Sequence, residues 1–125
     1  SKTDIIYSIF EDDVYVGQIG LSKIYWPAKN ARLGAMLCRN AWGRGLISKA
    51  ARLVLEKAFS EHGLHKVWLI TRSDNAKGLH IWQSVGFQQE GVLRDEYRVQ
   101  DRYYDMVRYG LLASDFHLTT KKSRL

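Results

Sequence analysis

A single mixed α/β domain is the fold class that this sequence predicts, on three observations. Short β-type runs and two stretches of helical apolar spacing follow one another in the order β-β-β-α-β-α-β-β. The length of 125 residues suits one hydrophobic core rather than two. No internal repeat, low-complexity linker or composition shift divides the chain, so the expected domain is 1–125, with flexible ends at 1–4 and from about 114 to 125.

The elements follow in order. Ile5 to Phe10 is an apolar strand, and Glu11-Asp12-Asp13 is a polar turn. Val14 to Ser22 alternates as the second strand of a hairpin. Pro27, the only proline, marks a loop, and Arg32 to Cys38 is a third strand. Ile47, Ala50, Ala51, Val54, Leu55 and Ala58 then recur at helical spacing, and Gly63 stands where the helix stops. His65 to Arg72 reads as a strand buried on both faces. Ser73 to Asn75 offers N-cap side chains for a short helix from about Ala76 to Ser84, which Gly86 ends. Strands at about Gln88 to Val99 and Arg102 to Leu112 close as a hairpin around Gln100-Asp101.

Composition bounds the function. Apolar residues make up 46% and charged residues 26%, the balance of a globular protein. No apolar run reaches the roughly 18 residues of a membrane helix, and no signal-peptide pattern opens the chain. Cys38 is the only cysteine, so an intrachain disulfide is excluded and a cytoplasmic setting is expected. The net charge of +6 favours anionic partners without naming one. His62 and His65 lack the companions of a metal site, and no metal is expected.

The segment "CRNAWGRGLISKAAR", Cys38 to Arg52, carries the sharpest chemistry. It leads into the best helix of the chain, and a helix N-terminus presents unpartnered N–H groups with about half a unit of positive charge. Gly43 and Gly45 let an anion approach the backbone, and Arg44 adds a guanidinium suited to phosphate. A P-loop needs Gly-Lys-Ser/Thr where this chain has Gly45-Leu46-Ile47, and a dinucleotide fingerprint needs a third glycine where it has Ser48. By itself the glycine pair is equally a tight turn.

"NAWGRGLISKA" resembles the acetyl-CoA pyrophosphate loop of the GNAT superfamily of N-acetyltransferases. "NAKGLHIWQSVGFQQEGVLRDEYRVQDRYYDMVRYGLL" is similar to that family's Asn-x-x-Ser helix, Gly-Phe and closing hairpin, in the branch that acetylates ribosomal-protein N-termini and amino sugars. The resemblance covers about Asp12 to Leu112. It implies a mixed, mostly antiparallel twisted sheet with helices on its faces, lacking the usual first strand and first two helices. It implies acetyl-CoA as cosubstrate and transfer of acetyl to a primary amine by direct attack. Backbone groups of Met36, Leu37 and Cys38 would pair with the pantetheine arm, and N–H groups of Trp42, Gly43, Arg44, Gly45, Leu46 and Ile47 would hold the pyrophosphate. Asn75, Lys77, Gly78 and Trp82 would line the cofactor from the second helix, although Asn75 is a good cap with or without a ligand.

Several positions depart from the family. Asn40 stands at the loop's Gln/Arg position and Gly78 at the Ser of Asn-x-x-Ser. Trp82 replaces a tyrosine that serves many members as general acid, and Arg32 replaces a frequent glutamate. Asp95, Glu96, Tyr97 and Asp105 of the closing hairpin are the candidate acid–base groups. Cys38 is either a nucleophile near the acetyl group or a small buried residue. Without the family's leading elements, the strand from Ile5 to Phe10 would be an apolar edge, and self-association through it is expected. Two other readings stay open: a non-catalytic CoA-binding module and, less favoured, a basic nucleic-acid-binding domain.

Overall fold

The computed structural model describes residues 3–43 and 45–116. Among the described residues the fold is mixed α/β, with six strands in a mostly antiparallel arrangement, the two helices α1 (Leu46–Ser60) and α2 (Ala76–Val85), and a helical stretch at residues 113–116 where a flexible end was expected from about 114. Its residues fall into two compact units, Ser1–Val67 and Trp68–Leu125.

In the first unit, β1 (Ile5–Glu11), β2 (Val14–Tyr25) and β3 (Asn30–Leu37) form an antiparallel meander. Asp12 and Asp13 join β1 to β2, both with left-handed φ (51° and 66°), as a two-residue hairpin turn requires and aspartate tolerates. The second strand runs past Ser22 to Tyr25 because its partner keeps pairing with it. The register slips between Ser22 and Tyr25, and Tyr25 then sits opposite Asn30. Ile24 N–H also donates to the Thr3 carbonyl at 3.1 Å. A single 3-10 turn, Arg39–Ala41, leads toward α1 (Leu46–Ser60). That helix buries Ala51, Val54, Leu55, Ala58 and Phe59 and packs against β2, whose Ile19 and Leu21 are also buried.

In the second unit the strand order is β4-β6-β5, where β4 (Lys66–Arg72) enters from the first unit, β5 is Gln88–Val99 and β6 is Arg102–Leu112. Helix α2 (Ala76–Val85) lies between β4 and β5 in sequence and is tied to β6 by Gln83 Nε2, which donates to Tyr109 Oη at 3.2 Å. The turn between β5 and β6 sits at Gln100-Asp101, as expected.

The burial expected of β4 is also corrected. β4 is buried on one face only: Val67, Leu69 and Thr71 are buried, whereas Lys66, Trp68, Ile70 and Arg72 are half-exposed. Two cation–aromatic stacks lie on the half-exposed face. Arg108 lies over the Trp68 ring at 4.2 Å, and Arg72 over the Tyr104 ring at 3.7 Å.

Candidate cofactor site

The glycine pair is first of all a conformational necessity. Gly43 (φ 81°) and Gly45 (φ 70°) are both left-handed, the region that costs other residues most. A Cβ at Gly43 would meet nothing within 4 Å, so the space beside the backbone is open as well. Gly45 is the N-cap of α1. It brings no capping side chain, and the first turn of the helix has no acidic residue. Ser48 does not supply a cap, since its hydroxyl donates to the Gly45 carbonyl at 3.1 Å. The α1 N-terminus thus keeps donors and helix dipole directed at an uncovered, left-handed loop, which suits a phosphate. Leu46 and Ile47 open the helix as expected; Arg44 lies outside the described residues.

Upstream of the loop, β3 loses its cover. Its alternation of buried and exposed residues stops after Leu33, and Gly34, Ala35 and Met36 are all exposed, Met36 at 51%. Backbone pairing narrows which groups face away from β2. Cys38 N–H donates to Val16 at 2.7 Å, and its carbonyl accepts from Ala41 N–H at 2.9 Å. In an antiparallel ladder the direction alternates, so Met36, opposite Gln18, also faces β2, while Leu37 faces away. Of Met36, Leu37 and Cys38, Leu37 is thus the one whose backbone groups turn away from β2. The Cys38 side chain is a half-buried free thiol.

In the second unit, Asn75 Oδ1 accepts the Gly78 N–H at 3.0 Å and caps α2. The departure at Gly78 has a local reason: a Cβ there would stand 2.5 Å from Asn75 Nδ2, so the glycine lets the cap close down. Asn75→Ala is expected to destabilise the chain by about 1 kcal/mol in urea unfolding. Lys77 is exposed. Trp82 is half-buried and meets Phe87 edge-on, with ring centroids 5.9 Å apart, so it packs within the unit.

The segment that leads to Asn75 is held by a feature that sequence reading missed. Arg72 donates to Asp74 through Nε (3.0 Å) and Nη2 (2.8 Å) while it lies over Tyr104, and Ser73 N–H donates to the Asp105 carbonyl at 3.0 Å. The i,i+2 Arg-Asp spacing was the only local signal, and Tyr104 is remote in sequence. The hydrogen bond from Arg72 holds the Asp74 carboxyl below the usual carboxylate range. A lowered folded-state value means that the contribution is complete above the unfolded value, about 3.9, and is lost as pH falls through the folded one. Near neutral pH the contribution of this pair is thus expected to be present in full and constant with pH, declining only on acidification. The Asp74 carboxyl carbon resonance should titrate at lower pH in the folded chain than in the urea-unfolded chain; equal midpoints would refute the clamp.

Asp95, Glu96 and Tyr97 lie in the irregular part of β5, where the register slips between Leu93 and Tyr97. Asp95 has φ 48° and donates its N–H to Asp105 Oδ1 at 2.9 Å. Together with Val92, Leu93 and Arg94, residues Asp95, Glu96 and Asp105 line an open depression. Sequence proximity brings Asp95 and Glu96 together, but the irregular pairing that adds Asp105 from β6 was not legible in the sequence.

A helix start without an acidic first turn or a side-chain cap, behind two left-handed glycines and next to an exposed strand end, is a local geometry that suits an anion. Residues 1–88 match the Acetyltransferase (GNAT) domain family, and the chain belongs to that family. Spermidine N(1)-acetyltransferase of Escherichia coli (strain K12) is 29% identical over 97 residues, covering 78% of this chain and 52% of that protein. The uncharacterized N-acetyltransferase p20 of Bacillus licheniformis is 28% identical over 106 residues, covering 85% and 60%. The fold is shared with spermidine N-acetyltransferase from Vibrio cholerae, solved in complex with CoA and spermine (TM-score 0.88, 23% identity, 92% of this chain and 69% of that one). The chain spans between about half and three-fifths of the length of these two curated relatives. Acetyl-CoA is the cosubstrate of GNAT acetyltransferases.

Proposed function

We propose that this chain binds acetyl-CoA and transfers its acetyl group to a primary amine. The observation that carries the reading is the α1 N-terminus, with no side-chain cap and no acidic residue in its first turn behind left-handed Gly43 and Gly45. In this reading N–H groups of Gly43 and of Gly45 through Ile47 receive the pyrophosphate, the Trp42 N–H expected to join them being held instead by the Arg39 carbonyl at 3.2 Å, and Leu37 N–H polarises the thioester carbonyl. The amine nitrogen attacks the carbonyl carbon, the carbon–sulfur bond breaks, and CoA leaves as the thiolate. The nitrogen loses its proton to solvent or to the carboxylate of Asp95 or Glu96. Orientation is the protein's main contribution.

The acceptor is a small cationic amine in this reading, which the grouped carboxylates of Asp95, Glu96 and Asp105 favour. Spermidine, an amino sugar and a peptide N-terminus form the panel to compare. The test is calorimetric titration with acetyl-CoA, followed by CoA thiol release with that panel. Absence of acetyl-CoA binding would overturn the reading. A CoA-binding module without turnover is the second reading, favoured by the packing of Trp82 on Phe87 in place of a proton donor. Binding without thiol release from any amine would select it.

Both units belong to one acetyltransferase domain in this proposal, since the family match runs through their boundary at Val67 and Trp68. The single thiol of Cys38 suits a reducing, cytoplasmic setting, and no helix among the described residues is long and apolar enough to cross a membrane. The 125-residue chain is further expected to self-associate through β1, where Ile6 and Phe10 are exposed. Light scattering that gives a monomer mass at high concentration would refute this.

A further inference from the structure

The Trp42 ring is 60% exposed, so burial does not hold it in place. Three directed contacts do. Its Nε1–H donates to the Leu37 carbonyl at 3.1 Å, its backbone N–H donates to the Arg39 carbonyl at 3.2 Å, and the Arg39 guanidinium lies 5.7 Å from the ring centroid. These contacts fold residues 37–42 onto themselves immediately before the left-handed glycines.

The acceptor of the indole bond is informative. The Leu37 carbonyl and the Cys38 N–H belong to one planar peptide. Cys38 N–H is held by Val16 on the β2 side, and the Leu37 carbonyl by Trp42 on the other. The last peptide of the strand is therefore gripped from both sides, and one grip comes from the phosphate loop itself.

We propose that Trp42 is a positioning residue: its indole N–H fixes the loop of the anion cradle to the end of β3. The spacing between the helix N-terminus and the strand-end donor at Leu37 is thereby set before any cofactor arrives. This inference rests on the acetyl-CoA reading for its purpose, but not for its geometry. It differs from the backbone role expected of Trp42, because here the side chain does the work and touches no phosphate.

Two variants test it: Trp42→Phe, and the sulfur analogue of tryptophan at position 42, which keeps the fused ring but replaces the indole N–H. Without cofactor, amides of residues 42, 43 and 45–47 should exchange about tenfold faster in both variants. The melting temperature should stay close to that of the wild type. The dissociation constant for acetyl-CoA should rise about fivefold through lost preorganisation. In the wild type, the Trp42 indole N–H should exchange more slowly than that of an exposed tryptophan in the urea-unfolded chain. Unchanged loop exchange in the sulfur analogue would overturn the inference. A wild-type chain that does not bind acetyl-CoA would overturn the cofactor reading, while the exchange measurement would still decide whether the indole holds the loop.

Discussion

Gly43→Glu is expected to weaken acetyl-CoA binding about a hundredfold, measured by calorimetric titration. Position 43 has φ 81°, and a Cβ there meets no atom within 4 Å, so the substitution causes no packing clash. The left-handed backbone costs a non-glycine residue about 1–2 kcal/mol. That cost falls on the free and the bound protein alike and leaves the dissociation constant nearly untouched. What changes binding is the carboxylate brought to an anion site. Two like charges about 4 Å apart at an effective dielectric of about 20 repel by about 4 kcal/mol, and salt removes part of this. A net loss near 2.7 kcal/mol corresponds to the hundredfold effect. Gly43→Asn is the control, since asparagine tolerates the left-handed region and is neutral. It should bind within about fivefold of the wild type. If both variants lose binding equally, loop conformation rather than charge governs the site.

Leu55→Ala is expected to destabilise the chain by about 2–5 kcal/mol, read from urea unfolding as a lower midpoint at unchanged slope. Leu55 is 0% exposed on the face of α1 that packs against β2 of the same unit. Alanine would lose the transfer energy of the removed carbons and leave a cavity beneath the helix that carries the cradle. Against a total stability of about 5–15 kcal/mol the effect is large. Leu53 lies on the same helix and is 66% exposed, so Leu53→Ala should stay within about 0.5 kcal/mol of wild type. Equal losses at the two positions would mean that α1 does not present the face described here.

Much of the fold was legible in the residues. The apolar spacing from Ile47 to Ala58 marked α1, because helical periodicity is a local property of the chain. The runs Glu11-Asp12-Asp13 and Gln100-Asp101 marked two hairpins, since turn geometry depends on few neighbours, although Glu11 proves to be the last residue of β1, paired with Val14. The second strand was cut short at Ser22 because alternation breaks there. It is continued by pairing to Asn30 and Thr3, and such pairing is invisible along the chain. The two-sided burial expected of β4 failed for a related reason. Lys66, Trp68 and Arg72 mark a half-exposed face only once Arg108 and Tyr104 are known to lie beside it.

The candidate site divides along the same line. By itself the sequence determined the glycine loop, the helix behind it, the Asn75 cap and the resemblance that points to acetyl-CoA, because each is written in residues close along the chain. Only the tertiary structure decided that Leu37, rather than Met36 or Cys38, turns its backbone away from β2. It alone tied Trp42 to Leu37, stacked Arg72 on Tyr104 and gathered Asp95 with Asp105 at a bulge. Hydrogen-bond direction in a sheet is fixed by register, and register depends on the partner strand. Propensity and spacing specify an element; what its groups face is specified by its neighbours.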